Sequence, residues 1–177
     1  MKPKGYADKV PVWCSYDAIV KMDDLKPNPQ NPNHHPESQI KKGAKILKGN
    51  GIRQAIVISK RSGLITKGHG RRLFGIEAGL SEFPVDYQDY ESEAAEWADV
   101  LADNELALEA EIDLTEVKSI LSDIEFPDIE LTGYDLDELL IDLDESPPDV
   151  EFKEYDESVE KDVEFLTCPA CGHKWPK

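Results

Sequence analysis

The sequence predicts an α/β domain at the front of the chain, followed by acidic helices and a cysteine-bearing tail. Three observations carry this. Short apolar runs alternate with helix-period stretches up to residue 111. The charge then changes sign. Residues 1–85 hold 15 Lys and Arg against 7 Asp and Glu, a net +8, whereas residues 86–177 hold 5 against 30, a net −25. Two of the three cysteines, Cys168 and Cys171, sit at the end of the chain.

A length of 177 residues suits one domain with appendages. Hydrophobic residues make up 40% and charged residues 32%. No apolar run approaches the ~18 residues that cross a bilayer, and no signal-peptide core follows Met1. The expectation is a chain that neither spans a membrane nor is secreted. Three cysteines do not build a disulfide framework, and a Cys-x-x-Cys pair suits a reducing compartment. The basic front half suits phosphates, and the acidic back half repels them. The tail either solubilises the chain or folds over the basic face and competes with nucleic acid.

The first ten residues are polar and expected to fray. Val10–Val20 holds one short strand. Leu25–Pro36 carries prolines at 27, 29, 32 and 36, which forbid helix and central strand. It is extended or turned, with Asn28, Asn31 and Asn33 available to cap turns or touch a ligand. His34 and His35 sit beside prolines and are expected at the surface. Pro36 suits a first helical position, and Ile40, Ala44 and Leu47 then share a helix face. Gly43 inside that helix costs about 1 kcal/mol against Ala, and Gly49 and Gly51 end it.

Ala55–Ser59 reads as a buried strand, Lys60–Gly63 as a turn and Leu64–Thr66 as the returning strand. A helix is expected from Leu73 to Gly79 and a strand over Phe83–Tyr87. Residues 91–109 form a helix with Ala94, Ala98 and Leu101 on one face. Asp113–Glu116 resembles a capping box that opens a helix with Val117, Ile120, Leu121 and Ile124 along a stripe. Residues 135–140 repeat the pattern. Residues 149–164 are acidic and expected to be disordered. The divisions are 1–111, 112–146 and 147–177.

Thr66-Lys-Gly-His-Gly-Arg-Arg72 joins a strand to a helix. Gly68 and Gly70 let backbone N–H groups approach an anion, and the helix N-terminus adds positive potential. Arg71 and Arg72 add bidentate donors. This is either a phosphate cradle or a tight strand–helix turn with surface arginines. His69 either acts as a general acid or base or orders the loop through a backbone hydrogen bond. Glu37 is a candidate base or metal ligand, and an acid there also suits a helix start.

Several motifs stand in a fixed order: Leu25-Lys-Pro-Asn-Pro-Gln-Asn-Pro32, a Lys-rich helix, Asn50-Gly-Ile-Arg-Gln-Ala-Ile-Val-Ile58, Gly63-Leu-Ile-Thr-Lys-Gly-His-Gly-Arg-Arg72, Phe83-Pro-Val85 and Leu101-Ala-Asp-Asn104. Over residues 12–111 this succession resembles the ParB/sulfiredoxin superfamily, specifically the ParB N-terminal domain in its small phage and prophage versions. The resemblance implies a compact domain with a small mixed sheet and flanking helices that binds a nucleoside triphosphate, CTP or ATP, with Mg²⁺. It implies a bacterial cytoplasmic setting, DNA as an indirect or weak partner, and company with a DNA methyltransferase or another phage DNA-processing protein. The family's Gly-x-x-Arg motif falls on Gly68, His69, Gly70 and Arg71, with Arg72 adjacent. Gln54 falls before the central strand, where Ala55 replaces the usual Pro. The Glu-Asn-x-x-Arg motif falls on Asp103–Ala107. Asp103 and Asn104 remain for a Mg²⁺-bound phosphate, but Ala107 replaces the arginine. Phe74 and Gly75 stand where small alanines are usual, so helix packing must differ there.

The candidate nucleotide ligands are thus Gly68, His69, Gly70, Arg71, Arg72, Gln54 and Asn104, and the candidate catalytic groups are His69, Glu37 and Asp103. Lys41, Lys45 and Arg53 are candidate DNA contacts. Cys168-Pro-Ala-Cys171-Gly-His173 looks like one knuckle of a zinc ribbon, with Cys168, Cys171 and His173 as ligands of a Zn²⁺. The two cysteines supply half of a four-ligand site and His173 is tightly spaced as a third, so the site is half-built in one chain; two chains pairing their tails as a homodimer, or a partner protein, would complete it. A redox dithiol is the rival. The function these residues point to is nucleotide binding in a phage or prophage DNA transaction such as DNA methylation. The alternative is a metal-dependent nucleotide hydrolase, phosphotransferase or nuclease.

Overall fold

The first two strands, β1 (Gly5–Ala7) and β2 (Val10–Val12), form an antiparallel hairpin that closes over one end of the core. This is seen in a computed structural model, which describes residues 2–123, 125, 129–134 and 165–176. The chain divides into two compact units, Met1–Leu140 and Ile141–Lys177.

The hairpin corrects the expected fraying. Ala7 and Val12 are fully buried. Asp8 takes the turn at φ 52°, and its carboxylate accepts the Ser81 N–H and Oγ–H at 2.7 Å each. The apolar signal was only two small side chains, too few to stand out by periodicity. The run Val10–Val20 likewise holds two strands rather than one, β2 and β3 (Ala18–Lys21).

The central sheet also contains β4 (Ile56–Ser59), β5 (Ile65–Lys67) and β6 (Glu82–Gln88), in the order β3-β6-β4-β5. β4 runs parallel to β6, and the other two pairings are antiparallel. The result is the small mixed sheet that was expected. Ile56, Ile65, Phe83 and Val85 are fully buried in it.

Helix α1 (Glu37–Asn50) follows Pro36, which caps it rather than opening it. Ala44 and Leu47 are buried as expected, and the helix runs past Gly49 to stop at Gly51, φ 73°. Helix α2 (His69–Glu77) packs across α1. A Cβ on Gly43 would stand 2.6 Å from the Phe74 ring, so the helix-weakening glycine is what admits a phenylalanine there. On the other side of α2, Gly75 lies against Met22 and Phe83.

α2 begins at His69, four residues before the expected start at Leu73. Gly68 alone links it to β5, in the left-handed region at φ 95°. Arg71 and Arg72 are therefore helical residues, not loop residues.

Helix α3 (Glu93–Glu109) is capped by Ser92, whose Oγ accepts the Ala95 N–H at 3.1 Å. The face that carries Ala94, Ala98 and Leu101 is exposed. Glu96 and Val100 are buried instead. The Glu96 carboxylate accepts the hydroxyls of Ser59 at 2.9 Å and Ser62 at 2.6 Å, so hydrogen bonding lets an acid mark the packing face.

Helix α4 (Leu114–Asp123) is capped by Asp113, whose Oδ1 accepts the N–H groups of Thr115 and Glu116. Residues 129–132 form a 3-10 turn against α1, where Asn50 Nδ2 donates to Leu131 O at 2.9 Å. The expected second acidic helix at 135–140 and the acidic run 149–164 lie outside the described residues. In the second unit, β7 (Phe165–Thr167) pairs antiparallel with β8 (Lys174–Pro176). Among the described residues, no helix is long and apolar enough to cross a membrane.

Candidate functional site

The start of α2 builds the site. The first N–H groups of an α-helix have no intrahelical partner. Here the ladder begins with Arg72 N donating to Gly68 O at 3.0 Å. The amides of His69, Gly70 and Arg71 stand before it, at the positive end of the helix. His69, Gly70 and Arg71 line a cleft of about 220 Å³ together with Asn33, His35, Lys67, Asp103 and Asn104.

Four contacts hold the proline-rich loop around this cleft. Asn28 N–H donates to His69 Nε2 at 3.1 Å. Arg72 Nε donates to Leu25 O at 3.1 Å, and Ile65 N–H to Lys26 O at 2.9 Å. Asn33 Nδ2 donates to Asn104 Oδ1 at 2.7 Å, tying the loop to α3. Prolines deny this segment a regular ladder, so its polar groups pair partly within the loop, as Gln30 N–H does with Asn28 Oδ1 at 3.0 Å, and partly with α2, α3 and β5.

His35, expected at the surface, is half-buried. Its ring lies against Gly70, where a Cβ would approach it to 2.9 Å, and edge-on to Phe74 at 6.4 Å between centroids. Its Nδ1 meets Gln39 Oε1 at 2.9 Å. His35 Nε2 and Asn104 Nδ2 are buried with no hydrogen-bond partner among the described residues. Both line the cleft. A prolines-and-histidines segment carries no periodic signal for burial. Only the small Gly70 beneath hints that a ring lies there.

The arginines part company. Arg71 folds back over Gly68, and its Nη1 donates to Ala55 O at 2.6 Å. Burial pulls its pKa below the ordinary value, and the charges of Asp103 and Cys14 oppose that. Arg72 turns to the other side, onto the proline loop. Lys67 Nζ lies 2.9 Å from Asp99 Oδ1 and 3.7 Å from Asp103 Oδ1. Burial works against its charge, but the hydrogen bond and charge of Asp99 and the charge of Asp103 outweigh it and raise its pKa. Tyr90 OH donates to Asp99 Oδ2 at 2.8 Å, completing a network that sequence spacing did not reveal. Its members lie on β5, β6's exit and α3, far apart in the chain.

A second, larger cleft of about 460 Å³ shares Lys67 and Arg71 with the first. Cys14, Tyr16, Gln54 and Arg53 line it. Arg53 lies over the Trp13 ring at 4.9 Å and donates to Asn50 O. Glu37 lines neither cleft. It is exposed and pairs with Lys41 at 2.5 Å. Lys45 pairs with Glu130, and Lys42 Nζ donates to Gly133 O at 3.1 Å.

In the second unit, the β7–β8 turn brings Cys168 and Cys171 together, with a side-chain hydrogen bond between them. His173 instead stacks on Trp175 at 6.3 Å between centroids. Among the described residues, no group of three or more His, Cys, Asp or Glu is placed to hold a metal ion.

No protein-family model matches the chain, and no curated protein matches it. Solved structures do. The chromosome-partitioning protein ParB from Caulobacter crescentus complexed with CTP-gamma-S is 18% identical over 55% of this chain and 56% of that one, with TM-score 0.46. The same protein complexed to the centromeric parS site is 16% identical over 55% and 51%, with TM-score 0.42. A Pnob8-like ParB-N domain is 14% identical over 92% and 57%, with TM-score 0.41. The chain spans a little over half the length of these structures.

Proposed function

We propose that the first unit is a nucleotide-binding module that grips the phosphates of a nucleoside triphosphate at the N-terminus of α2. One observation carries this. Two buried side-chain nitrogens, His35 Nε2 and Asn104 Nδ2, have no hydrogen-bond partner among the described residues, and both residues line the cleft that the first residues of α2 also line. An unpaired buried polar group costs about 1–3 kcal/mol, and a phosphate oxygen would satisfy both. The Asn104 amide donates to such an oxygen, and His35 Nε2 donates in the tautomer that carries its proton there. Arg71 and Lys67 add charge where the two clefts meet.

The smaller cleft suits phosphate groups, and the larger one suits a nucleoside. Ordinary ligand sites run to about 300–1,000 Å³. Mg²⁺ binds through one or two carboxylates and the substrate's own phosphates. Asp103, at the rim, is the carboxylate that fits that pattern. The ion would screen the charge between phosphate oxygens. CTP and ATP are the ligands that the motif resemblance implies.

The geometry favours holding a nucleotide over turning it over. His69 Nε2 is engaged by Asn28, and Glu37 stands outside the clefts. In this reading the module serves a DNA transaction, with Lys41, Lys45 and Arg53 toward DNA and a DNA-modifying enzyme as client. Calorimetry with CTP, ATP and ADP in Mg²⁺ tests the reading. Saturable binding supports it, and product analysis of the same mixtures separates binding from hydrolysis. No heat of binding with any of the three would refute it.

A further inference from the structure

The cysteine turn belongs to none of this. Cys168 N–H donates to His173 O at 2.8 Å and Gly172 N–H to Cys168 O at 2.9 Å, closing the turn between β7 and β8. Gly172 takes φ 74°, a conformation that suits glycine. The turn aims the N–H groups of Ala170 and Cys171 at Cys168 Sγ. Amides directed at a cysteine sulfur orient it as a metal ligand and satisfy its charge once metal-bound. Both cysteines are free, and Cys171 is exposed.

The ligand count decides what completes the site. Structural zinc takes four ligands in tetrahedral geometry. This turn supplies two thiolates, and His173 is engaged with Trp175. The hairpin itself is incomplete: its strands have three residues each, and two-stranded hairpins are marginal in water. Leu166 and Trp175 are directly paired across it, so they share one face, and they are 44% and 42% exposed. A second copy of the same turn would supply the two missing thiolates and cover that face.

We propose that Cys168 and Cys171 of two copies of this chain bind one zinc ion as a four-thiolate site, joining the chains through their tails. The four thiols give up their protons on binding. Each chain carries a formal charge of −17, so the copies repel, and the metal is what holds them together.

The test uses the full chain, stripped of metal and titrated with zinc chloride, with mass measured by sedimentation. The expected result is one zinc per two chains and a dimer that returns to monomer with EDTA. Cobalt chloride should give the visible spectrum of a tetrahedral four-thiolate site. Cys171→Ser, in an exposed turn, should abolish metal binding and the metal-dependent dimer. Zinc bound at one per chain in a monomer would overturn the proposal, as would no zinc binding. A dimer that persists both in EDTA and in Cys171→Ser would overturn it too.

Discussion

Asn28 N–H donates to His69 Nε2 at 3.1 Å across 41 residues of chain, and this bond fastens the proline-rich loop to the first residue of α2. The bond needs an unprotonated Nε2, so the ring proton sits on Nδ1. Burial, then the neighbouring His35 and Arg72, hold the His69 pKa below its ordinary value of 6.5. The unfolded chain therefore takes up this proton first as pH falls. Stability from His69 is complete above about pH 6.5 and declines below it. His69→Gln, which keeps an acceptor, should flatten the melting temperature between pH 7.5 and 5.5 relative to the native chain. Equal slopes would show that His69 is not the titrating group.

Gly43→Ala should destabilise the fold, against helix propensity. Propensity favours Ala by about 1 kcal/mol. The new Cβ, however, would stand 2.6 Å from Cγ, Cδ1 and Cδ2 of Phe74, and overpacking costs about 1–3 kcal/mol. Denaturant unfolding should show a net loss, recovered in part by adding Phe74→Leu. A gain in stability for the single variant would mean that α1 and α2 sit further apart.

Arg71→Ala and Asn104→Ala should each weaken nucleotide binding. A hydrogen bond to a charged group is worth about 1.5–3 kcal/mol, which is on the order of a tenfold to hundredfold change in Kd. Arg71 also holds Ala55 O, so its variant should lose some thermal stability as well. Asn104 gives up only the Asn33 bond at the surface. Unchanged affinity in a folded Asn104→Ala variant would remove the amide from the site.

Two lysines of α1 are engaged by groups remote in sequence: Lys45 by the Glu130 carboxylate and Lys42 by the Gly133 carbonyl. Glu130→Lys should raise DNA affinity several-fold at low salt, with the gain shrinking as salt rises. DNA binding that is unaffected at any ionic strength would take this face of α1 out of the DNA contact.

Legibility followed the physics of each element. β4 was plain in Ile56-Val-Ile58 because a strand buried on both faces is a continuous apolar run. α1 was plain in Ala44 and Leu47. The hairpin β1–β2 was hidden because Ala7 and Val12 are too small and too few to make a period. The buried face of α3 is hidden from the sequence because Glu96, held by Ser59 and Ser62, reads as solvent-facing until its partners are known. In the site, Gly68, Gly70 and Arg71 were legible as a motif on one stretch of chain. His35 and Lys67 were not, since what places them is the fold of a proline loop and an ion pair with α3.

The central claim is that the free amides at the start of α2 grip phosphate. Nitrogen-15 amide chemical shifts, followed during titration of the full chain with CTP or ATP and Mg²⁺, test it most directly. The account predicts that the N–H signals of His69, Gly70 and Arg71 move together and saturate with the calorimetric Kd. Nucleotide binding that leaves those three signals in place would contradict it.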